Sequence, residues 1–294
     1  MKSRSSPPKR PRECSDRLVA DSGIQGRSEI SRLLAAYGYR PTKAYGQNFL
    51  VDPNIVRRLV ALADLDAGSN VVEIGAGTGT ITAALAERAG RVVAYEIDTS
   101  LAPILAETIG GLGHVELRFE DAARLDLGAA IGEGPWTLVA NLPYNVGTGI
   151  VLDALKGAPE IERIVVVIQR EVADRMLAGA GSKTYGLPSV TVGLHAAGRF
   201  AFEVPSHVFE PPPRVDSAVI VLDRVDAPAE APRAIELAAV AFGQRRKMLR
   251  RSLSSVLHVP ELVLLAADID PTARPEELDP LDFVAIAVAE ERGR

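Results

Sequence analysis

Between residues 70 and 168, short runs of β-branched residues alternate with helix-forming segments, and this alternation limits the chain more than any other feature. The runs fall at 70–75, 91–97, 115–119, 136–140 and 163–168. Near-continuous apolar strands separated by helices are strands buried on both faces, which implies a parallel sheet built from βαβ crossovers. Two further runs, "RFAFEV" at 199–204 and "SAVIVL" at 217–222, follow too closely for a helical crossover and are expected to form an antiparallel pair at one side of the sheet. After "DRVDAPAEAPR" the composition turns to helix formers, so a Pro/Ala linker near 224–232 marks a second, small helical domain.

Ahead of the sheet, residues 1–27 hold seven Lys or Arg against three acids, with many Ser and Pro and little apolar periodicity. This stretch reads as a disordered basic tail. "SEISRLLAAYGY" predicts a short helix capped by Ser28, followed by the loop "RPTKAYGQNFLVD" and a helix over 53–63. The expected division is therefore a tail over 1–27, a sheet domain over 28–223 and an all-helical domain over 224–294.

At 294 residues the chain exceeds a usual single core, and 47% hydrophobic with 24% charged residues describes a soluble globular protein. No apolar run approaches the roughly 18 residues of a membrane span, and the first residues lack the apolar core of a signal peptide. Cys14 is the single cysteine and cannot form an internal disulfide, which favours a reducing cytoplasm. Four scattered histidines offer no metal-ligand spacing, so no metal is expected. A formal net charge of -5 argues against non-specific coating of nucleic acid, but leaves local basic patches to be sought.

The first chemical motif is "VVEIGAGTGTIT", residues 71–82, where a strand feeds a turn carrying Gly75, Gly77 and Gly79. Glycines let the backbone approach a ligand where any Cβ would collide, yet a plain strand-to-helix turn would give the same pattern. Glu96, in "VVAYEID" about 20 residues on, ends the second strand, where a carboxylate can take two ribose hydroxyls. Asp121, in "RFEDA", ends the third and can accept from an adenine amino group. Three strand ends thus point at one crevice. A pyrophosphate would want G-x-G-x-x-G, whereas here the spacing is G-x-G-x-G with Glu73 two residues before it. An acid near the loop suits a positively charged ligand better than phosphate, which favours S-adenosylmethionine.

"NLPY", residues 141–144, follows the fourth strand. The exocyclic amine of adenine is a poor nucleophile because its lone pair is delocalised into the ring. Two acceptors holding its N–H bonds would draw the nitrogen toward a tetrahedral geometry. The Asn141 side-chain oxygen and the Leu142 backbone carbonyl can be those acceptors. Pro143 stiffens the carbonyl, and Tyr144 offers a face for stacking an extruded base. The plain alternative is an Asn-Pro turn with a core tyrosine.

With these motifs in place, the sequence resembles the small-subunit ribosomal RNA adenine dimethyltransferases, relatives of the macrolide-resistance methyltransferases and of mitochondrial transcription factor B. The resemblance covers about residues 29–258 and rests on "GQNFLVD", "EIGAGTGTIT", "YEID", "FEDA", "NLPYNV", "VPSHVFEPPPRVDSAV" and "AFGQRRKMLRRSL". It implies a class I S-adenosylmethionine-dependent methyltransferase fold, mostly parallel with the antiparallel hairpin, and a C-terminal helical domain. It also implies dimethylation of two adjacent adenines in a hairpin loop near the 3′ end of the small-subunit RNA. Carried over residue by residue, it gives Asn48, Leu50, Gly75, Glu96, Asp121 and Asn141 as cofactor contacts, and Tyr144 and Phe209 as two aromatic faces around the target base. For Phe209 a hydrophobic plug before the "PPP" run is an equal reading. "EPPPRVDS" itself reads as structural, setting the last strand's entry.

Gly147 and Gly149 depart from the family's pattern, which has a Ser or Thr and then a Pro there, and are expected to loosen the segment behind "NLPY". Arg251 stands where a neutral residue is usual. Residues 243–251, "GQRRKMLRR", carry five Lys or Arg and no acid. Read as a turn entering a helix, they place Lys247, Arg250 and Arg251 on neighbouring faces, extended by Arg245 and Arg246, as an RNA phosphate-binding patch. A solvated face paired with nearby acids is the alternative. The expected partners are rRNA and the small ribosomal subunit or its precursor, met by a monomer. A ribosome-assembly factor acting by occupancy, or a transcription factor of the mitochondrial kind, remain open from sequence alone.

Overall fold

The computed structural model describes residues 23–42 and 45–293. Seven strands form the central sheet: β2 (Asn70–Ile74), β3 (Arg91–Glu96), β4 (Val115–Phe119), β5 (Trp136–Asn141), β6 (Ile161–Gln169), β7 (Ala196–Val204) and β9 (Ser217–Arg224). Their order is β4-β3-β2-β5-β6-β9-β7, with β2 to β6 parallel to one another and β9 antiparallel to both β6 and β7. The expected alternation is thus a parallel sheet with an antiparallel hairpin on one side. Within that hairpin the later strand is the inner one, because its apolar run "SAVIVL" is buried on both faces.

Strand alternation sorts the core into two layers. Leu138, Ile164, Val166 and Ile220 pack on one face with α6 (Gly147–Gly157), and Val139, Val165, Val167 and Val219 on the other with α2 (Pro53–Leu62) and α3 (Thr80–Ala86). The remaining sheet-domain helices are α1 (Arg27–Ala36), α4 (Ala102–Ile109), α5 (Leu127–Ile131), α7 (Arg170–Met176) and α8 (Leu187–His195). The helix expected over 53–63 is α2, capped by Asp52, which accepts from Asn54 N and Ile55 N, with Pro53 in the first turn.

The N-terminal boundary differs from its sequence reading. Ser28 does not cap α1; the extended Gly26 does, its carbonyl accepting from Glu29 N and Ile30 N at 3.1 and 3.0 Å. Ordered chain also begins before residue 27. Gln25 is 2% exposed, its backbone N–H donating to Thr80 Oγ1 and its amide to Thr78 O, both at 2.8 Å. Composition cannot reveal this, because one buried glutamine outweighs its polar neighbours only once α3 is in place. The rest of the expected basic tail, residues 1–22, lies outside the described residues.

A two-stranded sheet pairs β1 (Phe49–Leu50) with β8 (Phe209–Glu210), tying "GQNFL" to "VFEPPP". Strands of two residues carry no period, and the sequence did not announce them.

The C-terminal segment folds as α9 (Ala231–Gly243), α10 (Leu249–Ser252), α11 (Pro260–Ala266) and α12 (Pro280–Arg292). Their core is not theirs alone. Tyr185, Val190 and Leu194, in or just before α8, pack with Leu237, Leu249 and Phe283 in one cluster. A Cβ on Gly193 of α8 would stand 2.7 Å from Pro280 Cγ of α12, so the two helices meet more closely than a side chain allows. Arg224, ending β9, donates to the carbonyls of Ala154, Leu155, Ala158 and Ile161 and so closes the C-terminal end of α6.

Candidate active site

The carboxyl ends of β2, β3 and β5 open into a cleft roofed by residues 45–49 and floored by the glycine turn. Gly77 has a φ of +58°, and a Cβ there would lie 3.1 Å from the Phe49 ring, so only glycine lets loop and turn meet. Gly75, also at positive φ, donates its N–H to Tyr95 O at 2.8 Å, joining the turn to β3.

Glu96 is 5% exposed at the end of β3. Its Oε2 accepts from Gly77 N at 2.8 Å and its Oε1 from Asp98 N at 2.9 Å. Each oxygen keeps a second acceptor position, which suits a pair of hydroxyls. Burial raises its pKa above the ordinary carboxylate value despite those donors. Asp121 lines the cleft further along, accepting from Ala123 N at 3.1 Å and pairing with Arg124 Nε at 3.1 Å. Open carboxylate positions beside a glycine turn fit the ribose and adenine of S-adenosylmethionine.

Glu73 does not do what its place in the motif suggested. It is 0% exposed and does not line the cleft, and neither carboxyl oxygen has a hydrogen-bond partner among the described residues. Burial pushes its pKa to about 8, and the Glu96 charge adds to the rise. Burial favours the neutral form of such a group, and, lying outside the cleft, it does not face a ligand's ammonium.

Asn141 ends β5, and its Nδ2 donates to Asn48 O at 2.9 Å. That bond fixes the orientation of the amide, because only the nitrogen can donate to a carbonyl, and it leaves Oδ1 as the free acceptor. Leu142 N donates to Val167 O at 3.1 Å and its side chain is buried, so its own carbonyl is held by a rigid backbone. Pro143 O accepts from Val146 N and Gly147 N at 3.2 and 2.9 Å, closing the turn into α6. Tyr144 is half-buried in the cleft wall, with its hydroxyl 2.6 Å from Ser217 Oγ. Burial raises its pKa, so it stays a neutral ring.

Gly147 does not loosen this segment. A Cβ there would lie 3.1 Å from Leu142 Cβ, so the small residue lets α6 press against the "NLPY" backbone, while Gly149 faces open space.

Two expected site residues lie elsewhere. Phe209 is 1% exposed in the core with Leu59, Val167 and Val219 and does not line the cleft, a placement that fits the plug reading; Tyr144 is the aromatic of the expected pair that does line it. Leu50 is also 1% exposed in that core, because β1 alternates its side chains and turns Phe49 to the cleft instead. Asn48, Gly75, Glu96, Asp121, Asn141, Leu142, Pro143 and Tyr144 do share the cleft. Sequence reading missed Gln47, Phe49 and Ile97 there. Ile97, 43% exposed directly after Glu96, carries the one local signal, a large apolar residue beside a strand-end acid.

The basic segment is divided by its partners. Arg245 pairs with Glu276 at 2.6 Å and donates to the carbonyls of Ser182, Lys183 and Tyr185, and Arg250 pairs with Glu261 at 2.9 Å. Lys247 lies in a turn before α10, which begins at Leu249, so the expected helical spacing from Lys247 is absent. Arg246, Lys247 and Arg251 are exposed and have no ion pair among the described residues. No helix among the described residues is long and apolar enough to cross a membrane, and no group of three His, Cys, Asp or Glu among them could hold a metal.

Comparison with known proteins agrees with this geometry. A family model described as ribosomal RNA adenine dimethylase matches residues 39–289. Proteins named ribosomal RNA small subunit methyltransferase A are similar to the chain: 42% identical in Kineococcus radiotolerans, covering 92% of this chain and 93% of that one. The Streptomyces griseus protein is 43% identical over 90% and 94%. Among solved structures, the 23S rRNA methyltransferase ErmE superposes with a TM-score of 0.63 at 27% identity, covering 83% of this chain and all of that one. A Plasmodium falciparum dimethyladenosine transferase, at 23% identity, shares the fold with a TM-score of 0.72, covering 83% and 98%. The cleft at the strand ends, the glycine turn, the buried strand-end acid and the oriented "NLPY" amide are in keeping with a methyltransferase that uses S-adenosylmethionine, and the chain belongs to the ribosomal RNA adenine dimethylase family.

Proposed function

We propose that this enzyme dimethylates two adjacent adenines in a hairpin loop near the 3′ end of small-subunit rRNA, acting as a cytoplasmic monomer on the small ribosomal subunit or its precursor. One observation carries the chemical part: Asn141 Nδ2 is committed to Asn48 O, so Oδ1 must face outward as an acceptor. S-adenosylmethionine, when bound, supplies an electrophilic methyl group. Asn48, Gly75, Glu96, Asp121 and Asn141 are the residues that would hold it. Asn141 Oδ1 and Leu142 O accept the two N–H bonds of the target amine, which localises the lone pair on nitrogen. Pro143 keeps the Leu142 carbonyl from turning away, and Tyr144, fixed by Ser217, stacks on the extruded base. The attacking amine is neutral, so no base has to act first. Its surplus proton leaves from the nitrogen held between those two acceptors.

RNA is held in part by Arg246, Lys247 and Arg251, the cations of the segment without acidic partners among the described residues. The 40–43% identity to proteins named for the small subunit supports that substrate. Incubation with labelled S-adenosylmethionine and, separately, small- and large-subunit particles tests it. Label entering small-subunit RNA as dimethyladenosine is the expected result. Label entering only large-subunit RNA overturns the assignment.

A further inference from the structure

We propose that Gln47 is a positioning residue for methyl transfer: it anchors the loop whose next carbonyl, that of Asn48, sets the orientation of the Asn141 amide. Gln47 uses both ends of its side chain. Oε1 accepts from Thr42 N at 2.9 Å, and Nε2 donates to Asp98 Oδ2 at 3.0 Å. The Tyr39 hydroxyl stands 2.6 Å from both Gln47 Oε1 and Asp98 Oδ2, with one proton to share between them. Asp98 is buried and anchored in turn, its carboxylate accepting from Ser100 N and its backbone N–H donating to Glu96 Oε1.

The bonds form a continuous path. It runs from Glu96 through Asp98 to Gln47, along the backbone to Asn48 O, and from there to Asn141 Nδ2. Asn48's own side chain does not hold its carbonyl, because Nδ2 is turned to Gly46 O at 3.0 Å. Gln47 and Phe49 flank Asn48; Phe49 holds the loop by packing on the glycine turn, and Gln47 is the one that hydrogen-bonds it to the segment after β3. Without it the Asn48 carbonyl is held from one side only, by Phe49 and the β1–β8 pairing, and the bond that tells the oxygen of the Asn141 amide from its nitrogen is weakened.

This inference rests on the reading that Asn141 Oδ1 holds the target amine. The test uses the full chain in four forms: parent, Gln47→Ala, Asn141→Ala and the double variant. Single-turnover methylation of small-subunit particles and calorimetric S-adenosylmethionine binding are measured for each. Gln47→Ala should slow methylation by about 10- to 100-fold, the scale of a misplaced catalytic group. Its cofactor affinity should fall by clearly less than the rate, because Asn48 and Asn141 are two of the five cofactor contacts while Gly75, Glu96 and Asp121 stay in place. Placed on Asn141→Ala, it should add less than about a further twofold, because both changes remove the same oriented oxygen. Losses that multiply, or a cofactor affinity that falls in step with the rate, overturn the inference. If Gln47→Ala does not fold, Gln47→Glu keeps the acceptor for Thr42 and removes the donor to Asp98, with the same outcomes expected. An Asn141→Ala protein with parental rates would fell the reading beneath. A collapsed Asn141→Ala beside an unaffected Gln47→Ala would fell this inference alone.

Discussion

The strand-end cleft and the basic segment of the helical domain were both legible as motifs, yet the fold treated them differently. In the cleft, separated motifs converge because a parallel sheet delivers the carboxyl end of every strand to one side. In the basic segment, five adjacent cations part company, since Arg245 and Arg250 are drawn to Glu276 and Glu261 while Arg246, Lys247 and Arg251 face water. Topology settles where a strand end goes. A charge run is settled by whichever acids the tertiary fold brings to it, and local sequence does not hold that information.

The largest expected effect tests the cleft. Asn141→Ala removes one of two acceptors on the target amine, so turnover should fall by a factor on the order of 100 or more, as when a transition-state hydrogen bond is removed. Association with the small-subunit particle should barely change. Turnover near the parent's would show that the amine is held another way. Next, Glu96→Ala deletes a charged acceptor, worth about 1.5 to 3 kcal/mol, so calorimetry should find cofactor affinity reduced by roughly ten- to a hundred-fold. Unchanged affinity in a folded protein would remove Glu96 from the ribose.

The third effect is smaller and sharpens the contrast within the basic segment. Reversing Arg246, Lys247 and Arg251 to Glu should lower RNA affinity and reduce the slope of log affinity against log salt by about 0.7 to 0.9 for each phosphate no longer neutralised. Cofactor binding should be untouched. Arg245→Ala should instead lower the melting temperature, because it strips partners from Glu276 and from three carbonyls. If the triple variant keeps the parent's salt slope, the RNA is gripped elsewhere.

The last effect, on stability and not on binding or turnover, concerns Glu73. Its ordinary pKa is 4.5 and its folded value about 8, so the folded state retains the proton over that interval while the unfolded state has lost it. Stability is therefore greatest below the lower value and declines as pH rises through the higher one. Glu73→Gln does not titrate and should escape this decline, so its melting temperature should gain steadily on the parent's as pH rises from about 5 to about 8. Parallel curves for the two proteins would reject a buried, neutral carboxyl.

What the sequence disclosed follows the reach of each signal. β-branched runs and glycine turns act within a few residues, so the seven strands and the cleft floor could be read directly. Phe209 could not be placed, because a two-residue strand gives no period to say which side an aromatic faces, and its pairing with Leu50 spans the whole sheet domain. Glu276 lies 31 residues from Arg245, beyond any local pattern. Glu73 failed differently: its position in the motif was right, but depth below the surface is a property of packing.

The core that α8 shares with α9, α10 and α12 has one more consequence. Val190 and Leu194 lie in it, and Gly193 and Pro280 are in near contact, so the two parts of the chain do not hinge like beads on a string. On the reading proposed above, the cations that grip RNA and the amide that prepares its adenine stand at a set span, like the jaws of a caliper. Such an enzyme selects its target by how far the base lies from the gripped backbone as well as by what the base is.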